Sequence, residues 1–331
     1  MDVSIRERQQ SVRSVKSVAA FLKPKDYFRS SSVAKKRRMR FLCCSFVSWL
    51  LCLAPGGATG AATSEIRVTH QARSLQPGEV VLLKAQSRRP LLRLTASAFG
   101  RQFLLFSDEK NLAWTGLIGI DLDAKPGRQT VKLRGTGADG GTVLAEDTLT
   151  VAGKTFPTRR LTVDAKFVNP PQQMMARIRE ESARVRAVFD TVTPRRYWNG
   201  AFSLPVPGSV ISAFGKRSVY NGQPRSAHSG TDFQGATGTP IRAPNAGKVV
   251  LASELYYSGN TVILDHGLGL YSYFGHMSVF SVKEGDQVKS GEILGKVGAT
   301  GLVTGPHLHW AVRLAGTRVD PLSLIRVLTV K

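Results

Sequence analysis

The chain has 331 residues, an apolar fraction of 42% and a formal net charge of +23, length enough for about two domains of roughly 150 residues with sizeable cores. The first forty residues hold 12 Lys and Arg against 3 acidic residues and residues 41–62 carry no charge, so the remainder keeps 34 basic against 20 acidic groups and expects a polyanion nearby. All three cysteines (Cys43, Cys44, Cys52) precede residue 53, which excludes a downstream disulfide framework and a thiolate zinc site.

The N-terminus reads as an export signal. Lys35-Lys36-Arg37-Arg38-Met39-Arg40 is a basic cluster, Phe41 to Leu53 an apolar core, and residues 54–62 a small-residue stretch suited to cleavage. The apolar run is shorter than the ~20 residues a spanning helix needs, so an integral membrane domain is not expected after cleavage. Met39 offers an alternative start. The predicted location is the periplasm or cell envelope, and residues 1–62 are assigned to this extension and signal.

Residues 63–163 carry short strand-like runs at Val80–Lys84, Leu91–Ala96, Gln102–Phe106, Leu117–Leu122, Thr130–Arg134 and Thr142–Val151. Turn signals such as Gln76-Pro77-Gly78 and Lys125-Pro126-Gly127 separate them, which predicts an immunoglobulin-like β-sandwich. His70 reads as a surface or packing histidine and Trp114 as core. Residues 164–200 form a connector, in which Asn169-Pro170-Pro171 reads as a cap with prolines for the first turn. Apolar residues from Met174 to Phe189 then recur near a 3.6-residue period, predicting one amphipathic helix from Gln172 to Phe189. Such a helix could dock two domains or partly cover a groove.

Residues 201–331 are Gly- and Val-rich, with strand runs at Gly247–Ala252, Asn260–Asp265, Leu270–Phe274, Ile293–Val297 and His309–Leu314 and no long helical pattern. The fold class is therefore mainly β: sandwich, short helical connector and a C-terminal antiparallel sheet. Four of the six histidines fall in three motifs here: His228-Ser-Gly-Thr-Asp232, Tyr273-Phe-Gly-His276 and Gly305-Pro-His307-Leu-His309. On a strand, positions i and i+2 share a face, so His307 and His309 aim at one spot. Imidazole and carboxylate are ordinary zinc ligands, and a catalytic zinc needs three of them plus an open position. His228 and Asp232 supply two; spacing alone leaves His276, His307 and His309 open as the third. His266 reads as a satisfied polar group.

Together the three motifs, in this order, resemble the lysostaphin-like (LytM-type) peptidoglycan endopeptidases over roughly Phe202 to Ile325. The resemblance implies zinc held by His228, Asp232 and His309, with His276 and His307 acting as acid/base and oxyanion stabilisers. Every one of those positions is filled. Trp310 is followed by Ala311, where many relatives carry an acidic residue. Asn221 is a candidate to reach the metal in a latent state.

The implied function is exported, zinc-dependent hydrolysis of peptide cross-links in bacterial peptidoglycan. Its partners would be stem peptides and their cross-links, with anionic cell-envelope polymers held by the basic surface; no nucleic-acid motif is present. The alternative is an inactive wall-binding or amidase-activating protein of the same fold. Val282 to Gly295 also resembles a lipoyl or biotinyl carrier half-motif, but it lacks the modified-lysine hairpin and is read as shared β architecture.

Overall fold

The computed structural model describes residues 65–162 and 168–329. The export signal and the cysteines lie outside the described residues. No helix among the described residues is long and apolar enough to cross a membrane.

Eight strands come first: β1 (Ile66–Ala72), β2 (Val80–Ser87), β3 (Leu91–Ala98), β4 (Arg101–Leu104), β5 (Phe106–Ser107), β6 (Ala113–Gly119), β7 (Gly127–Gly137) and β8 (Thr142–Val151). They pair into two four-stranded antiparallel sheets, ordered β1-β2-β6-β5 and β4-β3-β7-β8. The inward positions alternate as period two demands, with Leu83, Leu94, Ile118 and Leu133 almost fully buried. Trp114 is core, and its Nε1–H donates to the Asn111 carbonyl at 3.1 Å. His70, on the unpredicted first strand, is exposed and sits 2.5 Å from Asp147.

The chain then contributes a short strand, β9 (Thr158–Leu161), to a different sheet, before a 3-10 turn (Gln172–Met174) and α1 (Met175–Asp190). Asn169 does not cap this helix: Pro171 occupies the cap position, in extended conformation and without a side-chain cap bond. A residue followed by proline is disfavoured in the α region, which disfavours helix at Asn169 and Pro170, and helical geometry starts only at Gln172. The apolar stripe of α1 packs as expected, with Val185, Val188 and Phe189 against a buried patch of Leu251, Ile263 and Tyr271.

The C-terminal part contains β10 (Val210–Ser212), β11 (Arg217–Tyr220), β12 (Gln223–Pro224), β13 (Thr231–Gln234), β14 (Pro240–Arg242), β15 (Gly247–Leu255), β16 (Gly259–Gly267), β17 (Leu270–Phe280), β18 (Gln287–Val288), β19 (Ile293–Val297), β20 (His307–Leu314) and β21 (Thr317–Val319), closed by α2 (Pro321–Thr329). The main antiparallel path runs β10-β13-β20-β17-β16-β15-β18. β9 adds in parallel to the β11–β12 hairpin just ahead of His228. Residues on the core face of the main sheet, such as Phe233, Phe274 and Leu308, are at most 1% exposed; burial of each of the two phenylalanines stabilises by roughly 2–3 kcal/mol. The carrier-like run Val282 to Gly295 supplies β18, at the end of the main path, and the start of β19, which pairs with β14 and β17.

The sandwich and the sheet are joined by a polar lock. Glu79, 1% exposed, accepts two bonds from Arg73 (3.0 and 2.7 Å) and one from the Ser323 hydroxyl at 2.8 Å. Arg73 also reaches Asp320 at 2.7 Å, and Arg318 engages Asp121 and Asp123. These contacts seat β21 and α2 on the sandwich.

Candidate metal and catalytic site

The site is built where three strands meet. β13 pairs β20 so that Asp232 stands opposite His309 and Gln234 opposite His307. β20 in turn pairs β17, placing Gly275 beside His309 and Tyr273 beside Ala311. Because side chains alternate, His307, His309, Ala311 and Arg313 form one row on the groove face, while Leu308, Trp310 and Val312 enter the core.

His276 reaches the same face by a different device. Strict alternation would send it inward with Phe274. Pairing of β17 with β16 shifts between Val262–Phe274 and Asn260–Met277, an extra residue that marks a bulge. His276 takes a left-handed φ of 63°, its backbone N–H bonds Ser258 at 2.7 Å, and its ring turns into the groove. His228 precedes β13 in a loop fixed by backbone bonds to Gly215 and Lys216.

The predicted ligands converge. Asp232 Oδ1 lies 2.9 Å from His228 Nε2 and 2.8 Å from His309 Nδ1, and those two nitrogens are 3.1 Å apart. Among the described residues, His228, Asp232 and His309 are the group whose donor atoms could share one metal ion. Gly230 makes room for them: a Cβ there would stand 2.6 Å from His309 Cε1. His276 and His307 flank the cluster, their rings 4.9 Å apart, with His307 Nε2 3.9 Å from Asp232.

Hydrogen bonds fix the tautomers. A carbonyl oxygen only accepts, so Nδ1 carries the proton in His228 (to Ala213, 3.1 Å), His276 (to Thr300, 3.0 Å) and His307 (to Gly305, 2.9 Å). Each of these imidazoles in neutral form therefore has a lone pair on Nε2. Burial would raise the Asp232 carboxyl, but the His228 and His309 rings packed against it outweigh that and hold it well below the usual carboxylate range. Burial, then the neighbouring His309, lowers His276 to about 3; burial also lowers His309. A buried anion beside neutral imidazoles is the donor chemistry a divalent cation requires.

The groove holding these groups has a volume of about 530 Å³. Its walls include Val185 and Phe189 of α1 and Arg159 of β9, so the connector forms one side of it. Tyr273 lines it, whereas Tyr271 is buried against Phe189 and donates to the Thr191 carbonyl at 2.6 Å. Asn221 lies in the β11–β12 turn, on a separate hollow with Arg160 and Gly222. His266 is fully buried: its Nδ1–H donates to Ala246 at 2.8 Å and its Nε2 accepts from Ser272 at 2.9 Å, as a satisfied structural histidine should. Arg313, Tyr257 and Ser258 were not singled out from sequence. For Arg313 the signal was available, since it continues the i, i+2 row from His307.

An antiparallel sheet delivers a metal-capable His–Asp–His set to an open groove, an arrangement suited to hydrolysis. Comparison with known proteins agrees. Residues 226–321 match Peptidase family M23. A crystal structure from Pseudomonas aeruginosa, assigned to peptidase M23, is 35% identical, with TM-score 0.61, covering 77% of this chain and 96% of that one. DD-carboxypeptidase/endopeptidase Mpg of Neisseria meningitidis is 40% identical over 97 residues, and peptidoglycan DD-endopeptidase ShyA of Vibrio cholerae is 37% identical over 115. The matched segments are 29% and 34% of this chain, and span 22% and 27% of those two relatives. The chain belongs to peptidase family M23.

Proposed function

We propose that the protein is an exported zinc endopeptidase that hydrolyses peptide cross-links of bacterial peptidoglycan. The observation that carries this reading is the meeting of His228 Nε2, His309 Nδ1 and Asp232 Oδ1 within 3.1 Å. Zinc held there by these three would supply a Lewis acid for the scissile carbonyl and lower the pKa of an attacking water. Asp232, kept ionised by its two imidazoles, neutralises part of the cation's charge. His276 and His307, each with Nδ1–H committed to a backbone carbonyl, turn Nε2 toward the reacting groups. One accepts the proton of the attacking water on Nε2 and passes it on to the leaving amine; the other, when protonated on Nε2, donates to the developing oxyanion. Neither rotates freely, so orientation is supplied before substrate arrives.

The relatives named as peptidoglycan endopeptidases support the substrate class. The basic composition supports retention near anionic envelope polymers, an attraction that weakens with salt. The strand order of the two-sheet part supports the immunoglobulin-like reading of residues 63–163, and the basic apolar N-terminus supports export. All five positions of the proposed machinery are occupied, which argues against an inactive wall-binding or amidase-activating role. The test is release of muropeptides from purified peptidoglycan by the mature protein, with and without a zinc chelator. Chelator-sensitive release of peptide-cleaved products is expected; release unaffected by complete zinc removal refutes the reading.

A further inference from the structure

Arg313 is the fourth member of the row that starts at His307, and the proposed machinery does not use it. Its guanidinium reaches back to the residue after His228: Nη1 donates to the Ser229 carbonyl and Nη2 to the Ser229 hydroxyl, both at 3.3 Å. A third contact, to the Val312 carbonyl, is 3.4 Å. These are long bonds to neutral groups. No carboxylate among the described residues forms an ion pair with Arg313; Asp121, the acid on that side, is committed to Arg318 through its backbone N–H and its guanidinium.

The side chain is partly buried, with Phe189 5.4 Å from the guanidinium carbon. It borders both the groove and a second cavity of about 750 Å³ between α1 and the sandwich. Arg101, Arg186 and Arg318 also line that cavity. Burial, then the nearby Arg318, lowers the Arg313 pKa to about 10, a sign that the cation is poorly compensated. A guanidinium withdrawn from water without an anion is a standing cost unless a ligand supplies the charge. Its planar fork matches a carboxylate with two parallel hydrogen bonds.

We propose that Arg313 is a specificity residue at the far end of the groove, where it binds a free carboxylate of the peptide substrate. This rests on the peptidase reading above and adds which peptides the groove selects. Stem peptides carry free carboxylates beside their cross-linked amides, and amidation removes the charge while keeping the shape. Arg313 stands four positions beyond His309, roughly 13 Å along a strand, so the carboxylate lies a few residues from the bond cut.

The experiment compares a cross-linked peptide dimer bearing free carboxylates with the same dimer converted to carboxamides. Both are tested against wild type, Arg313→Gln and Arg313→Lys, each verified as folded by thermal melting. Wild type is expected to favour the carboxylate dimer about 10- to 100-fold in kcat/KM, mainly through KM, the range for a charged hydrogen-bonded contact. Arg313→Gln should abolish that preference, lowering kcat/KM on the carboxylate dimer about 10- to 100-fold more than on the carboxamide dimer, and Arg313→Lys should keep only part of it. Equal losses on both dimers, or no wild-type preference, overturns the proposal. Equilibrium binding of both dimers to the same proteins separates the two readings. If neither dimer is cut, the peptidase reading fails, and a carboxylate preference in binding that Arg313→Gln removes still upholds Arg313 as the carboxylate site. Binding blind to the charge overturns it.

Discussion

Asp232 and His309 stand opposite each other on adjacent antiparallel strands, and their side chains meet with Oδ1 2.8 Å from Nδ1. The register that pairs β13 with β20 therefore also assembles two of the three proposed ligands. A one-residue slip of β13 against β20 would turn Asp232 to the core face and away from His309. Phe233 and Leu308, fully buried on that face, hold the register in place.

Gly230 should be intolerant of a methyl group. A Cβ would lie 2.6 Å from His309 Cε1 and 2.7 Å from the Trp310 carbonyl, and backbone cannot yield cheaply. Gly230→Ala is expected to displace His309 and lower kcat/KM on peptidoglycan about 10- to 100-fold. Hydrolysis assays beside thermal melting check this; unchanged activity would show that the ring has room to adjust.

His276 occupies a left-handed conformation that asparagine tolerates. His276→Asn should thus change stability by less than about 1 kcal/mol. The same change removes a proposed proton-transfer group and should lower kcat by about 10² to 10⁴. Denaturant unfolding and single-turnover kinetics separate the two effects.

His266 makes stability pH-dependent. Burial lowers its pKa to about 4 in the folded protein, against about 6.5 when unfolded. Between those values the unfolded chain binds the additional proton, so stability is present above about pH 6.5 and lost as pH falls toward 4. The loss is on the order of 3 kcal/mol. In metal-free protein, His266→Gln should flatten this part of the stability profile, as followed by urea unfolding at several pH values.

Glu79 locks the sandwich to α2. Removing it leaves the Ser323 hydroxyl without its acceptor and Arg73 with Asp320 as its remaining carboxylate partner. Glu79→Ala should cost about 2–3 kcal/mol, less than a fully enclosed pair because Arg73 is 35% exposed. Thermal melting measures the loss, and a change within 0.5 kcal/mol would contradict the role given to the lock.

Much of the site was legible because strand periodicity is simple. His307 and His309 share a face on period two alone, and the spacing of His228 and Asp232 fits a loop feeding a short strand. His276 was legible only as a motif member, since the bulge that turns it outward leaves no trace in a hydrophobic pattern. Arg313 was hidden by the opposite habit: an arginine on a strand is read as solvated, yet the i, i+2 row carries it into the groove. β9 escaped because its partner, β11, lies some sixty residues away and, like β9, is too short to show alternation. The cap expected at Asn169 failed because the prolines that follow it delay helical geometry to Gln172. α2, nine residues after Asp320, is too short for a periodic signal.

The most direct measurement is zinc content together with muropeptide release for wild type, Asp232→Ala and His309→Ala. One zinc per wild-type chain is expected, with peptide-cleaved muropeptides released, and both variants should lose the metal and the activity while remaining folded. A variant that keeps zinc and still releases muropeptides would contradict the assignment of these side chains as the metal's ligands.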